Sequence, residues 1–394
     1  MGKTFLRFCI VAVFVAFPRL ANCGAIEFKG MSYCGWGQNV YSSTDSNNSL
    51  GNLQKTGCQW VAINVWWYQS TTTSTDINAW YPYNSVSPAS VKVAVDRCHQ
   101  LGMKVMLKPM LDVKTGDWRA YIVPSTAWFA AYQDFINYWA DFAEANNCEM
   151  LCIGCEFEGT SSWAAQWRTV ITGVRAHYTG PITYAVNHGG ESAISWWDAL
   201  DYIGIDAYYA LTGINNPTPA QLVTAWTNQA NSIQSWRNSH WPNKQVMFTE
   251  VGYASFDGSN THPWDGPGSS SVLDINEQND CYAALLSVCK DRPWWTGAFW
   301  WNWNTAANSG GLNDKNFTPQ RKPAETVTLR NYYITIAGDL DGDKGVDLVD
   351  LGFFADYWLL NNVNGWPDFN GDNKVDFVDF AMLAANWQQS IPFP

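Results

Sequence analysis

The sequence predicts an eightfold parallel βα barrel followed by a small all-α module built on a duplicated acidic loop. Three observations carry this reading. Between residues 26 and 325, eight short apolar runs alternate with stretches of helical character, the pattern of repeated strand and helix units. Beyond residue 326 that pattern stops and an Asp-rich motif occurs twice, Asp368 standing 29 residues after Asp339. The charge follows the same division: of a net −12 over 394 residues, residues 336–394 supply 10 Asp against 2 Lys.

At the front, Lys3 and Arg7 precede the uncharged apolar run 8–17, and Ala21 to Ala25 supply small residues for cleavage. Residues 1–25 therefore read as a secretory signal peptide, and an extracellular location is expected. The apolar run falls well short of the ~20 residues a spanning helix requires, and no later stretch qualifies, so no membrane span is expected. Leu20-Ala21-Asn22-Cys23 resembles a lipoprotein cleavage box with an ill-fitting Asn before the Cys, which leaves lipid anchoring at Cys23 as the minor alternative.

The apolar runs at 28–33, 60–66, 104–109, 150–155, 182–186, 202–207, 245–249 and 297–301 read as strands. Stretches 87–101, 127–146, 162–177, 219–239 and 276–290 read as helices, several starting after Ser, Thr or Asn with Pro or an acid in the first turn, as N-caps do. Eight buried runs within this length fit a closed (β/α)8 TIM barrel better than an open doubly wound sheet. Of 10 Cys, two lie in the signal region. The Cys152-Ile-Gly-Cys155 pair has the spacing of a redox or zinc site but lies inside an apolar run, so buried small hydrophobes are expected, with oxidation of some pairs outside the cell left open.

Composition excludes several classes. Net acidity argues against nucleic-acid binding, which rests on Lys and Arg neutralising phosphates. The first strand is followed by Tyr33-Cys34-Gly35-Trp36-Gly37, with an indole where a phosphate needs bare backbone, so no nucleotide cofactor is expected. No Gly-x-Ser-x-Gly elbow and no zinc ligand set occurs, which disfavours a serine hydrolase and a catalytic zinc and leaves no cofactor for catalysis. With 24 Trp, 18 Tyr and 19 Phe but only 15% charged residues, the surface must carry exposed rings. Such a surface suits flat neutral ligands.

Two acids fall where a barrel places its chemistry. Glu156 ends the fourth run and Glu250 the seventh, so both face the barrel mouth, partly desolvated, where a carboxyl can be positioned and its pKa raised. Glycoside hydrolysis needs such a pair, one acid to protonate the leaving oxygen and one carboxylate to attack the anomeric carbon. Glu158 has the same strand parity as Glu156 and is not separated from it by spacing. Tyr208, after the sixth run, is a candidate donor to the nucleophile, with Tyr209 the alternative. Trp36, Trp66, Trp118, Trp301 and Trp303 are candidate sugar platforms. Lys108, Asp112, Asn187 and His188 are candidate hydroxyl partners, and Asp206 shares the parity of Tyr208.

The segments Cys148-Glu-Met-Leu-Cys-Ile-Gly-Cys-Glu156, Thr249-Glu250-Val-Gly, Leu107-Lys108-Pro109, Gly204-Ile-Asp206-Ala-Tyr208-Tyr209 and Phe299-Trp-Trp301-Asn-Trp303 together resemble glycoside hydrolase family 113, the retaining β-mannanases of clan A. The resemblance implies Glu156 as acid/base, Glu250 as nucleophile, and β-1,4-mannan or glucomannan as substrate. Clan A enzymes usually carry Asn before the acid/base; here that residue is Cys155. Cleavage of another β-glycan, exo action, and a catalytically inactive glycan-binding barrel are the competing expectations.

In the tail, Asp339, Asp341, Asp343, Asp347 and Asp350 recur as Asp368, Asn370, Asp372, Asp376 and Asp379, positions 1, 3, 5, 9 and 12 of an oxygen-donor loop suited to Ca2+. Each copy runs into an apolar helix. The repeat resembles a type I dockerin, which implies structural calcium and a cohesin-type scaffold partner. Position 6 of the first loop is Lys344 instead of Gly, and of the second Asn373, so the first site is expected to be the weaker. The expected organisation is signal peptide 1–25, barrel 26–325, linker 326–336 and dockerin-like module 337–390.

Overall fold

The computed structural model describes residues 26–333, 336, 338–340, 345–361, 367–369 and 374–390. The signal-peptide expectation, and the candidate ligands Asp341, Asp343, Asn370 and Asp372, lie outside the described residues.

The eight runs form eight parallel strands, β1 (Phe28–Cys34), β2 (Trp60–Gln69), β3 (Lys104–Val113), β4 (Met150–Cys155), β5 (Ile182–Asn187), β6 (Tyr202–Asp206), β7 (Gln245–Val251) and β8 (Trp295–Asn304). They pair in sequence order and β1 closes on β8, as a TIM barrel requires. Inward residues such as Phe28, Trp60, Met106, Cys152, Met247 and Phe299 form one apolar cluster inside the barrel. Phe28 meets the rings of Trp60 and Tyr202 edge-on at 5.0 and 5.2 Å and plugs its base. Outward residues pack against the helices in a second, larger cluster.

Helices α1 (Thr44–Gln54), α2 (Pro88–Gln100), α3 (Thr126–Ala145), α4 (Ala164–His177), α5 (Pro219–His240) and α6 (Ile275–Cys289) make the outer ring. The Ser43, Ser87, Ser125, Thr218 and Asp274 side chains cap five of them by accepting first-turn N–H groups, which satisfies donors that the helix itself cannot. After β5 no α-helix follows. Two 3-10 turns, Glu191–Ala193 and Trp197–Ala199, make that connection. The buried rings of Trp196 and Trp197 fill the helix-sized space beside α4, Trp196 stacking on Trp167 at 4.9 Å and meeting Tyr184 edge-on at 5.0 Å. After β8 a π-helix (Ala324–Leu329) continues into α7 (Arg330–Tyr333). There the chain is fastened to the start of β1: Lys29 Nζ donates to the Tyr333 carbonyl at 2.9 Å and Trp300 Nε1 to the Tyr333 hydroxyl at 2.9 Å.

The described tail repeats itself in structure as in sequence. α8 (Leu348–Asp356) and α9 (Phe377–Ala385) begin with capping boxes, Asp347 with Asp350 and Asp376 with Asp379. Asp350 also accepts the Leu340 N–H, and Asp379 the Phe369 N–H at 2.7 Å. Ile336, Val346, Phe354, Val375 and Leu383 form its small core. The eight described cysteines are all buried with free thiols. The Cys152 and Cys155 thiols are pushed up by burial, consistent with inert, protonated side chains.

Candidate active site

Strand register, not strand parity alone, decides what reaches the barrel mouth. On β4 four residues, Cys152 to Cys155, span what β5 covers in three, Thr183 to Ala185. Both cysteines consequently face inward. Glu156 follows with a φ of 54°, a left-handed backbone uncommon for a residue with a Cβ and concentrated at functional sites, and its N–H is held by the Ala185 carbonyl at 2.8 Å. β7 likewise gains a residue against β6, since Ile205 pairs with Phe248 but Asp206 with Glu250. The irregularity lets Thr249 bond Asp206 while Glu250 still reaches the mouth.

The mouth opens into a cleft of about 720 Å³ lined by Glu156, Glu250 and Tyr208, by the rings of Trp36, Trp66, Trp118, Trp264, Trp301 and Phe317, and by Met110, Asp112, Arg119, Asn187 and His188. Glu250 is clamped from two sides: Lys108 Nζ donates to one oxygen at 2.5 Å and the Tyr208 hydroxyl to the other at 2.9 Å. Tyr209 turns away and bonds Glu191. Glu156 accepts from Trp118 Nε1 and Arg119 Nη1, each at 3.3 Å, while Arg119 Nε donates to Asp112 at 2.7 Å.

Burial pushes the Glu156 carboxyl up; Arg119 opposes that and the Glu250 charge adds to it. Burial and the Asp206 charge push Glu250 the same way, and Lys108 opposes them. Because the ammonium touches Glu250 and carries a short charge-assisted bond, Glu250 is the better stabilised anion of the two. Burial works against the charge on Lys108 itself, but Asp206, Cys155 and Glu250 outweigh it and hold its pKa well above the ordinary value. The two carboxyls are thus unequal, one suited to hold a proton and one to stay ionised.

Three residues expected to meet sugar are placed elsewhere. Lys108 and Asp206 are fully buried one layer beneath the mouth, 3.4 Å apart. They serve the carboxylate layer from below and do not line the cleft. Trp303 is buried on the outer side of β8, its Nε1 bonded to Ser49. Parity with Trp301 fails because Met31 and Tyr33 of β1 pair with Trp300 and Trp303, four residues of β8 against three of β1, and an extra residue turns every later side chain to the other face. Glu158 starts a 3-10 turn and does not line the cleft. Trp36, Trp66, Asp112, Trp118, Asn187 and Trp301 do line the cleft, Trp36 and Trp66 with ring centroids 4.8 Å apart.

Arg119 and Trp264 were not anticipated. Arg119 opens a 3-10 turn (Arg119–Tyr121) after β3, and Trp264 sits on the loop after β7 beside His188, whose ring stacks on it at 5.4 Å. A loop Trp that is 47% exposed in a chain this short of charge was the available signal for the second. Cys155, Glu156 and Asp206 bring a thiol and two carboxylates within 4.8 Å, but Lys108 and Arg119 already compensate them, so the group reads as a charge network and not as a metal ligand set.

Two carboxyls in unequal surroundings facing one aromatic cleft at the carboxyl ends of barrel strands is the construction of a glycosidase. The family model of Glycoside Hydrolase Family 113 matches residues 31–322, and the chain belongs to that family. Among solved structures it is similar to a GH113 β-1,4-mannanase, described as a complex, at 27% identity over 78% of this chain and 98% of that one, with a TM-score of 0.69. A GH113 β-mannanase from Alicyclobacillus acidocaldarius in complex with ManMIm is 28% identical over 79% and 98%, with a TM-score of 0.70. A Bifidobacterium dentium β-glucuronidase shares the fold at 17% identity and a TM-score of 0.51, over 79% of this chain and 46% of that one. No curated protein matches the chain.

Proposed function

We propose that this glycoside hydrolase is a secreted, retaining endo-β-1,4-mannanase acting on mannan or glucomannan. The observation that carries the reading is the unequal treatment of the two carboxyls: Glu250 is held between Lys108 and Tyr208, and Glu156 stands in the desolvated wall beside Trp118. In the first step a Glu250 oxygen bonds the anomeric carbon, the glycosidic C–O bond breaks, and the Glu156 proton passes to the leaving oxygen. In the second step Glu156 takes a proton from water, whose oxygen displaces Glu250. No cofactor takes part. Exposed indoles on both flanks, Trp36 and Trp264, favour binding within a chain over binding at its end.

Glu250→Gln is expected to fold normally and to lose at least about 10⁴-fold in kcat, because an amide forms no glycosyl ester. Products from a panel of purified β-glycans, resolved by chain length, identify the substrate and the mode of cleavage. Near-normal turnover by the Gln variant would remove Glu250 from the nucleophile's role and leave a glycan-binding barrel as the better reading.

A second reading concerns the tail, which we propose to be a calcium-dependent docking module for a cohesin-type partner. The donor set Asp339, Asp347, Asp350 and Asp368, Asp376, Asp379 is all oxygen, which suits a hard cation; Asp350 and Asp379 are fully buried carboxylates. The specific support is the pair of apolar side chains left in water at the start of each helix. Leu348 and Val349 are 74% and 52% exposed, and Phe377 and Val378, their counterparts in the repeat, 72% and 52%.

A further inference from the structure

Between Asp76 and Lys92, in the connection from β2 to α2, the chain carries no charged residue, and it holds Trp80, Tyr81 and Tyr83 among Asn and Ser. All three rings are exposed, and Tyr83, at 79%, is the most exposed large apolar side chain among the described residues. Leaving rings in water forgoes the free energy of burying them, and a cluster of exposed rings on a globular domain marks a binding surface.

The loop that carries these rings is fastened to the rim of the cleft. Tyr68, near the end of β2, donates its N–H to the Asn78 carbonyl at 2.8 Å and accepts the Asn78 N–H at 3.0 Å. The buried Ser85 hydroxyl donates to the Trp66 carbonyl at 2.7 Å and accepts the Trp80 N–H at 2.7 Å. On the other side, the Gln38 N–H donates to the Pro82 carbonyl at 2.7 Å and the Ser87 N–H to the Gln38 carbonyl at 2.9 Å. Trp36 and Trp66 both line the cleft, so the loop is tied to the backbone of one cleft indole and to a close chain neighbour of the other. Gly37, next to Trp36, lies against it, for a Cβ added there would be 3.8 Å from the Pro82 carbonyl oxygen and 3.9 Å from that of Tyr83. Trp80 anchors the loop from within, edge-on to Tyr68 at 5.2 Å with the Lys114 ammonium 5.7 Å from its ring centroid.

We propose that this loop is a second glycan-binding surface, continuous with the cleft past Trp36, on which the part of a β-1,4-mannan chain that runs out of the cleft lies across Tyr83 and Tyr81. The proposal rests on the reading of the cleft as a mannanase site. A pyranose presents C–H groups on its faces and hydroxyls at its edge, so rings and amides match it and charge adds nothing. A ring on a loop held this firmly loses little freedom when it is covered, and Tyr has few torsions to order. A docked protein would need packed apolar pockets within a polar rim, whereas this loop adjoins the cleft from which a polymer must emerge.

The test compares Tyr83→Ala with the wild type on soluble β-1,4-mannan and on an aryl β-mannobioside, which is too short to leave the cleft. KM on mannan is expected to rise about 2- to 10-fold, the range a single ring contact supplies, with kcat little changed, while kcat/KM on the short substrate moves by less than about twofold. Affinity electrophoresis in a gel containing mannan reads the same surface without turnover: Tyr83→Ala should be retarded less than the wild type, and Tyr83→Trp, which restores a ring, about as much. Tyr83 is so exposed that truncation leaves the fold intact, and an unchanged unfolding midpoint checks this. An unaltered KM and retardation on mannan overturn the proposal, as does an equal loss on both substrates, which would place the effect inside the cleft. A wild type that neither cuts mannan nor is retarded by it sinks the mannanase reading and this surface with it; a wild type that does both, matched by Tyr83→Ala, sinks the surface alone.

Discussion

At the scale of single residues, the site is a problem in charge compensation. Glu156, Glu250, Asp206 and Asp112 bring four carboxyls toward the mouth, and Lys108 and Arg119 return two positive charges. Each cation touches two acids. Lys108→Met would leave Glu250 and Asp206 facing one another with nothing between them. On the proposed mechanism Glu250 must be ionised to attack, and losing the ammonium raises its pKa, so fewer molecules would be competent at a given acidic pH. The acid limb of kcat/KM is therefore expected to move to higher pH. Neutral-pH stability should drop by about 3–5 kcal/mol, as when one partner of a buried pair is removed. A pH profile with denaturant unfolding at pH 7 checks both. An unmoved acid limb would mean that Lys108 does not govern the nucleophile.

At the scale of elements, the eight strands were legible because each is a short, mostly apolar run between stretches of helical character, and Glu156 and Glu250 because an acid directly after such a run has few structural uses. What was hidden had local causes. α1 was missed because Thr44–Gln54 is mostly Ser, Asn and Thr, with only Leu50 and Leu53 as its large apolar anchors. Trp303 was misplaced because an inserted residue in β8 leaves no mark in composition. Lys108 and Asp206 were read at the right strand ends but one layer too high, since spacing gives the face of a strand and not the depth. The same reasoning makes Gly154 a sharp probe. A Cβ there would lie 2.7 Å from the Tyr184 ring and 3.2 Å from Trp167, and Tyr184 in turn holds the Phe157 N–H next to Glu156. Gly154→Ala should cost about 1–3 kcal/mol in overpacking and lower kcat even well below its melting temperature. A variant of unchanged stability and turnover would show that this wall can relax.

At the scale of the whole molecule, barrel and tail draw stability from different sources. The barrel has two large apolar clusters, whereas the core of the tail holds five buried apolar residues among those described, so on the proposed reading of the tail as a calcium module much of its stability would come from the bound ion. Calorimetry of the full chain should therefore show two transitions. One should rise with calcium, by the equivalent of about 2.7 kcal/mol at a hundredfold excess over Kd, and collapse with chelator; the other, together with activity on soluble mannan, should stay fixed. A single transition indifferent to chelator would remove the calcium module.

The fastening of Tyr333 to Lys29 and Gly30 has a practical consequence. The chain leaves the barrel at its amino-terminal pole, and the cleft opens at the opposite one. An enzyme grafted onto a bead or electrode through a linker at residue 334 would present its mouth to the bulk liquid and its blind end to the support. Crowding on such a surface would restrict the approach of long polymers far less than random coupling through lysines.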